Sequence, residues 1–190
     1  NQSYASGNLA NLLFQAGRYR ESRLLFETAD RIFVHLGEKH PHHYTIGNLG
    51  DIDLHLGRLD DAAAKYQSVA AFARECGDDE LAAETAVRLA DCIFYRGDSG
   101  SAREQYQQAV ILAERAGAQE YQIRGTVGLC RLLIGSKQTT EAAGQLELLR
   151  AFAAETKSDR VAHEARFLSA EIERLSGNLP GARAEWALCR

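Results

Sequence analysis

The chain has 190 residues, 45% of them hydrophobic and 25% charged, with a formal net charge of −4 at pH 7. That is enough apolar material for a core, and the mixed charges make no single-sign field for nucleic acid or an anionic membrane surface. Only two prolines occur among abundant Ala, Leu, Glu, Gln and Arg, which favours an all-α fold over any sheet class.

No run approaches the roughly 18 apolar residues of a membrane span, and no basic-then-apolar leader opens the sequence. A soluble, cytoplasmic protein is the expectation. The lack of methionine, and termini at Asn1 and Arg190 that fall inside a helical pattern, suggest a piece of something larger.

Glycine organises the rest. Gly17, Gly57, Gly97 and Gly177 stand at multiples of 40 residues, and Gly37, Gly77 and Gly117 lie halfway between them. A glycine past a helix end takes the left-handed conformation that reverses the chain, so each 20-residue interval is expected to hold one helix and one turn. About 15 helical residues make a rod of roughly 22 Å.

The first hairpin is expected over residues 1–38, with Leu9, Ala10 and Leu12 on its first helix and Ser22, Phe26 and Ile32 on its second. The second, 39–78, repeats the pattern with Leu49, Gly50 and Ile52, then Ala62, Tyr66 and Phe72. The third, 79–118, offers Leu89, Ala90 and Cys92, then Ala102, Tyr106 and Leu112; Asp78 or Asp79 is placed to cap its first helix. The fourth, 119–158, has Leu129, Cys130 and Leu132, then Ala142, Leu146 and Phe152, but lysines 137 and 157 replace both glycines. The fifth, 159–190, is incomplete, with Ser169 in a leucine column followed by Ala170, Ile172, Ala182 and Trp186. The leucine and isoleucine columns are read as buried stripes, the aromatic columns as plugs between hairpins, and the small columns as close helix crossings.

Asn8-Leu9-Ala10 through Gly17-Arg18-Tyr19 to Phe26 and Ala29, and Asn48-Leu49-Gly50 through Gly57-Arg58-Leu59 and Ala62 to Tyr66, resemble the tetratricopeptide family. The 40-residue period is longer than that family's usual 34 and is similar to kinesin-light-chain-like and LGN/Pins-type repeats. The resemblance implies a right-handed α-solenoid of about four and a half helix-turn-helix repeats. It also implies a concave groove, lined by the first helices, that binds a peptide or partner helix.

Projecting that groove onto this chain selects Asn8, Asn11, Asn48, Asp51, His55, Arg88, Asp91, Tyr95, Arg124 and Arg131. Asparagine amides pair with both groups of a peptide bond, so Asn8 and Asn48 are expected to grip successive peptide units, Arg88 an acidic side chain and Asp51 or Asp91 a basic one. Asn11, Asn48 and Arg88 match three of five positions of the family's carboxylate clamp; Gly7 and Glu84 stand where it has lysines, and Glu84 would repel a carboxylate.

Other constellations are read as structural. Gly97-Asp98-Ser99-Gly100 lies in a turn with no base or oxyanion donors at hand. His40, His42 and His43 near His35 lack a companion metal-ligand motif. The acidic turn of Glu75, Asp78, Asp79 and Glu80 is not a calcium loop. Cys76, Cys92, Cys130 and Cys189 form no C-x-x-C pair and are expected as reduced, buried thiols. The sequence therefore predicts a binding module, not an enzyme, with no metal or cofactor and with a protein or peptide partner. A sensory or oligomerisation segment of a larger bacterial transcriptional or signalling regulator is the other reading. Trp186, Leu188 and Cys189 are expected to leave a C-terminal end through which copies self-associate.

Overall fold

The computed structural model describes residues 2–189. Ten helices follow one another with no strand among the described residues: α1 (Gln2–Gln15), α2 (Tyr19–Leu36), α3 (Lys39–His55), α4 (Leu59–Cys76), α5 (Asp79–Tyr95), α6 (Ser99–Ala116), α7 (Gln119–Gly135), α8 (Thr139–Thr156), α9 (Asp159–Leu175) and α10 (Leu179–Ala187). Each packs on the next, and the first helices α5, α7 and α9 also touch in succession. The result is an all-α solenoid of helical hairpins.

The turns follow from backbone sterics. The C-cap Gly37, for example, has φ 72°, and its N–H closes onto the carbonyls of Phe33 and Val34. The two lysines that interrupt the glycine series keep the geometry: Lys137 has φ 59° and Lys157 φ 51°. A side chain there costs roughly 1–2 kcal/mol, which the packed helices on either side hold in place. At the other helix ends, Asp78 accepts the Leu81 N–H at 2.9 Å, Asp98 that of Ser101 at 3.1 Å and Ser158 that of Val161 at 3.4 Å. The Gly97–Gly100 turn and the acidic turn are therefore capping devices.

The small columns mark the crossings. Ser22 Oγ donates to the Ala10 carbonyl at 2.8 Å, and 120 residues later Cys130 Sγ meets the Ala142 carbonyl at 3.6 Å, in the same column pair. Tyr66 and Tyr106 are fully buried plugs, 0% and 2% exposed. The ring of Tyr66 leans over Gly50, where a Cβ would stand 2.6 Å from it.

Two stripes depart from expectation at the N-terminal end. Leu49 and Ile52 are 5% and 0% exposed, but their counterparts Leu9 and Leu12 are 50% and 62% exposed. No described helix precedes α1 to cover them. At the other end Trp186 is half-buried against α9 and Leu188 is exposed. Only Cys92 and Cys130 are buried thiols, with pKa values pushed up to about 11 by burial. Cys76, at the end of α4, is exposed and Cys189 is half-buried, so the expectation of four buried thiols is corrected at both.

Buried charge is the feature the columns hid. Asp53 of α3, 1% exposed, meets Arg23 of α2 at 2.5 Å and Lys65 of α4 at 2.8 Å, tying three helices together. Burial works against its charge, but hydrogen bonds from Lys65 and Arg23 together hold its pKa below the usual value.

Candidate binding surface on the first helices

The residues projected onto the groove come from α1, α3, α5 and α7, and most of them fall into two compartments, with the Arg88–Asp51 ion pair in neither. The first is a cleft of about 350 Å³ between α1 and α3, where Asn8, Asn11 and Asn48 meet Tyr4, Phe33 and Tyr44. Asn8 and Asn11 are exposed and Asn48 is half-buried, so their amides are open to a ligand. Tyr4 donates to Glu38 across the rim at 3.2 Å.

The ion pair centres on Arg88. Its guanidinium lies 2.8 Å from Asp51 of α3 and 3.0 Å from Glu84 one turn earlier on α5. It also faces the Tyr66 ring at 5.7 Å, while the Tyr66 hydroxyl donates to Asp51 at 2.7 Å. Burial opposes the arginine's charge, yet Asp51 and Glu84 keep its pKa above the ordinary value. Arg88 and Asp51 therefore satisfy each other and are not free to hold a peptide's charges. Glu84, which the clamp comparison marked as repulsive, is the residue that binds Arg88.

The second compartment, about 210 Å³, opens between α5, α7 and α9. Asp91, Tyr95, Arg124 and Arg131 line it, together with Tyr106, Gly128 and Glu164. Asp91 accepts a hydrogen bond from the Tyr106 hydroxyl. Burial raises its pKa, and that bond with the more distant Arg124 and Arg131 offsets only part of the rise. Arg131 pairs with Glu164 at 2.8 Å and Arg160 with Glu120 at 2.8 Å. Arg124 lies over the Tyr121 ring at 6.0 Å.

His55 belongs to neither compartment. It packs edge-on to Phe14 at 4.9 Å and tilted to Tyr19 at 5.6 Å, at the turn end of the hairpin beside Tyr95. Tyr106, Gly128 and Glu164 were absent from the projected set. The signal for Gly128 was present in the column Asn8, Asn48, Arg88, Gly128, where a long polar side chain gives way to none.

The histidine cluster is engaged in packing: His42 bonds Asp30 at 2.6 Å, and His43 stacks on Phe72 with centroids 3.8 Å apart. Among the described residues no three His, Cys, Asp or Glu side chains gather as a metal ion would need.

Residues 42–115 match the tetratricopeptide repeat family profile. These are tetratricopeptide-type repeats. The flanking hairpins continue the same period and geometry on both sides of the matched segment. No curated protein matches the chain. Among solved structures it is similar to a Rap protein complexed with competence and sporulation factor, at 14% identity, TM-score 0.86, over 99% of this chain and 53% of that one. It is also similar to aspartyl phosphate phosphatase F of Bacillus subtilis, at 11% identity, TM-score 0.80, over 99% and 58%. The nearly identical TPR-like repeats of a Podosopora anserina protein assigned as a kinesin light chain match at 19% identity, TM-score 0.73, over 100% and 97%. The array thus spans about half the length of the Rap protein, and these likenesses establish its fold.

Proposed function

We propose that the chain is a protein-interaction module of the cytoplasm that holds a peptide or partner helix along the concave face of its first helices. The observation that supports this reading is the pair of open compartments between neighbouring first helices, one offering asparagine amides and the other charged and aromatic side chains. An extended peptide needs donors and acceptors for its backbone and pockets for alternate side chains, and the two compartments offer these in sequence. No reaction is assigned to it. Ser99 stands in a helix-capping turn, and the acidic side chain beside it, Asp98, is spent on the Ser101 N–H.

The test is selection from an unbiased peptide library on the immobilised chain, followed by competition among variants. Asn48→Ala and Asn11→Ala are expected to weaken the selected peptides, whereas Arg74→Glu and Arg115→Glu, exposed on second helices, are expected to leave them unchanged. The reverse pattern would move the site off this face.

A second reading has its own support. The Rap protein of similar fold was solved with a bound factor and is about twice as long as this chain. On that model the array is the sensory segment of a larger regulator, and peptide capture on the first helices changes its contact with an effector region.

A further inference from the structure

Equivalent positions of successive repeats can be compared atom by atom, because the period is 40 residues. Asp51 and Tyr66 recur as Asp91 and Tyr106, and in both pairs the tyrosine hydroxyl donates to the aspartate. In the first pair the other carboxylate oxygen, Oδ2, takes the guanidinium of Arg88 at 2.8 Å. The counterpart of Arg88 is Gly128. The second carboxylate is thus half-buried without the arginine that completes the first, and it lines the pocket that opens between α5 and α7.

The chain does not supply the missing cation itself. The ring of Tyr106 occupies the place of a side chain at 128, with its Cε1 2.3 Å from where a Cβ would be. Arg131 and Arg160 are committed to Glu164 and Glu120, and Arg124 lies over Tyr121; among the described residues none of the three forms an ion pair with Asp91. Asp91 and Arg124 are both half-buried, but the short Asp91 carboxylate is fixed by the Tyr106 hydroxyl with no cation beside it, whereas the long arginine side chain can turn its charge to water, so the unpaired carboxylate is the more costly of the two. The magnitudes therefore favour a ligand cation on Asp91 over a ligand anion on Arg124. At about 210 Å³ the pocket is below the roughly 300–1,000 Å³ of small-molecule sites and suits one side chain.

We propose that this pocket binds one basic side chain of the partner peptide, an arginine by preference, with its guanidinium against Asp91 and the Tyr106 ring as Arg88 sits against Asp51 and the Tyr66 ring. The inference rests on the reading of this face as a peptide groove. Arg124, Arg131 and Arg160 on the rim set its specificity, since their field disfavours a run of cations and accepts a single one flanked by neutral or acidic residues.

The experiment titrates the full chain with N-acetyl-arginine amide and with its neutral isostere N-acetyl-citrulline amide, followed by amide chemical shifts. The arginine probe is expected to shift Gly128 and its neighbours saturably and at least about tenfold more tightly than citrulline, a preference lost in Asp91→Asn. Arg124→Gln leaves the Asp91 site intact and is expected to tighten the arginine probe by roughly threefold. Equal binding of the two probes, an unchanged preference in Asp91→Asn, or preferential binding of N-acetyl-aspartate amide at Arg124 would overturn the proposal. If library-selected peptides protect α1, α3, α5 and α7 while binding without regard to a basic residue, only this inference falls. If they protect second helices, the groove reading itself falls.

Discussion

Arg88 of α5 reaches back to Asp51 of α3 with 2.8 Å between Nη2 and Oδ2, and the same nitrogen lies 3.0 Å from Glu84. Its Nε is buried without a hydrogen-bond partner, and Gly47 leaves just the room its other Nη needs. Removing one member of such a buried group strands the others, at about 3–5 kcal/mol. Arg88→Ala is therefore expected to lower the denaturant midpoint strongly. An unchanged midpoint would show the ion pair to be dispensable, and Arg88 would return to the list of ligand-binding candidates.

Asp53 is expected to behave as a structural anchor of the first two hairpins. Its lowered pKa means that its stabilisation is present above the unfolded aspartate value near 4 and is lost as pH falls through the lower folded value. Asp53→Ala should cost about 3 kcal/mol at pH 7, with a smaller penalty in acid. Melts of wild type and variant that run parallel at every pH would contradict this.

The opposite sign is expected at Asp91. Burial raises its pKa, so the native state binds the proton more tightly than the unfolded chain, and stability declines as pH rises from the unfolded value through the folded one. Asp91→Asn keeps an acceptor for Tyr106 and removes the half-buried charge. It should stabilise the protein by about 1 kcal/mol at pH 7, with the gain vanishing below about pH 4. Destabilisation at pH 7 would mean that the charge is well compensated in the free protein.

The aromatic plugs carry the joints between hairpins. Tyr66→Ala or Tyr106→Ala is expected to destabilise the array by roughly 3 kcal/mol, because each leaves a cavity in a fully buried site. A thermal midpoint within a degree of wild type would remove that residue from the core.

Lys137 and Lys157 offer a gain. Both hold positive φ with a side chain, so replacing each by glycine, as in the other turns, should add about 1 kcal/mol. Two variants no more stable than wild type would show that the lysines' interaction with the helix C-termini already offsets the backbone strain.

The ends of the array present apolar surface: Leu9 and Leu12 at one, Leu188 at the other. Sedimentation at rising concentration is expected to show self-association that weakens in the double variant Leu12→Glu, Leu188→Glu. A sharp monomer throughout would exclude it.

The glycine series, the caps at Asp78 and Asp98, and the aromatic and small columns were legible as one-dimensional patterns, because turn sterics and helix periodicity act over a few residues. They were sufficient for ten helices and for the small and aromatic columns that pack between them, but not for α1, whose expected stripe of Leu9 and Leu12 is exposed. Partner choice across the hairpins was not legible. Asp51 and Asp91 occupy one column and read alike, yet one is closed by Arg88 and the other faces a pocket, since residues 37 positions further on are arginine in one case and glycine in the other. Asp53 likewise reads as a polar helix residue until Arg23 and Lys65 converge on it from two other helices. Charges pair over distances of 3–4 Å, which depend on how three helices cross, and only the tertiary structure decides that crossing.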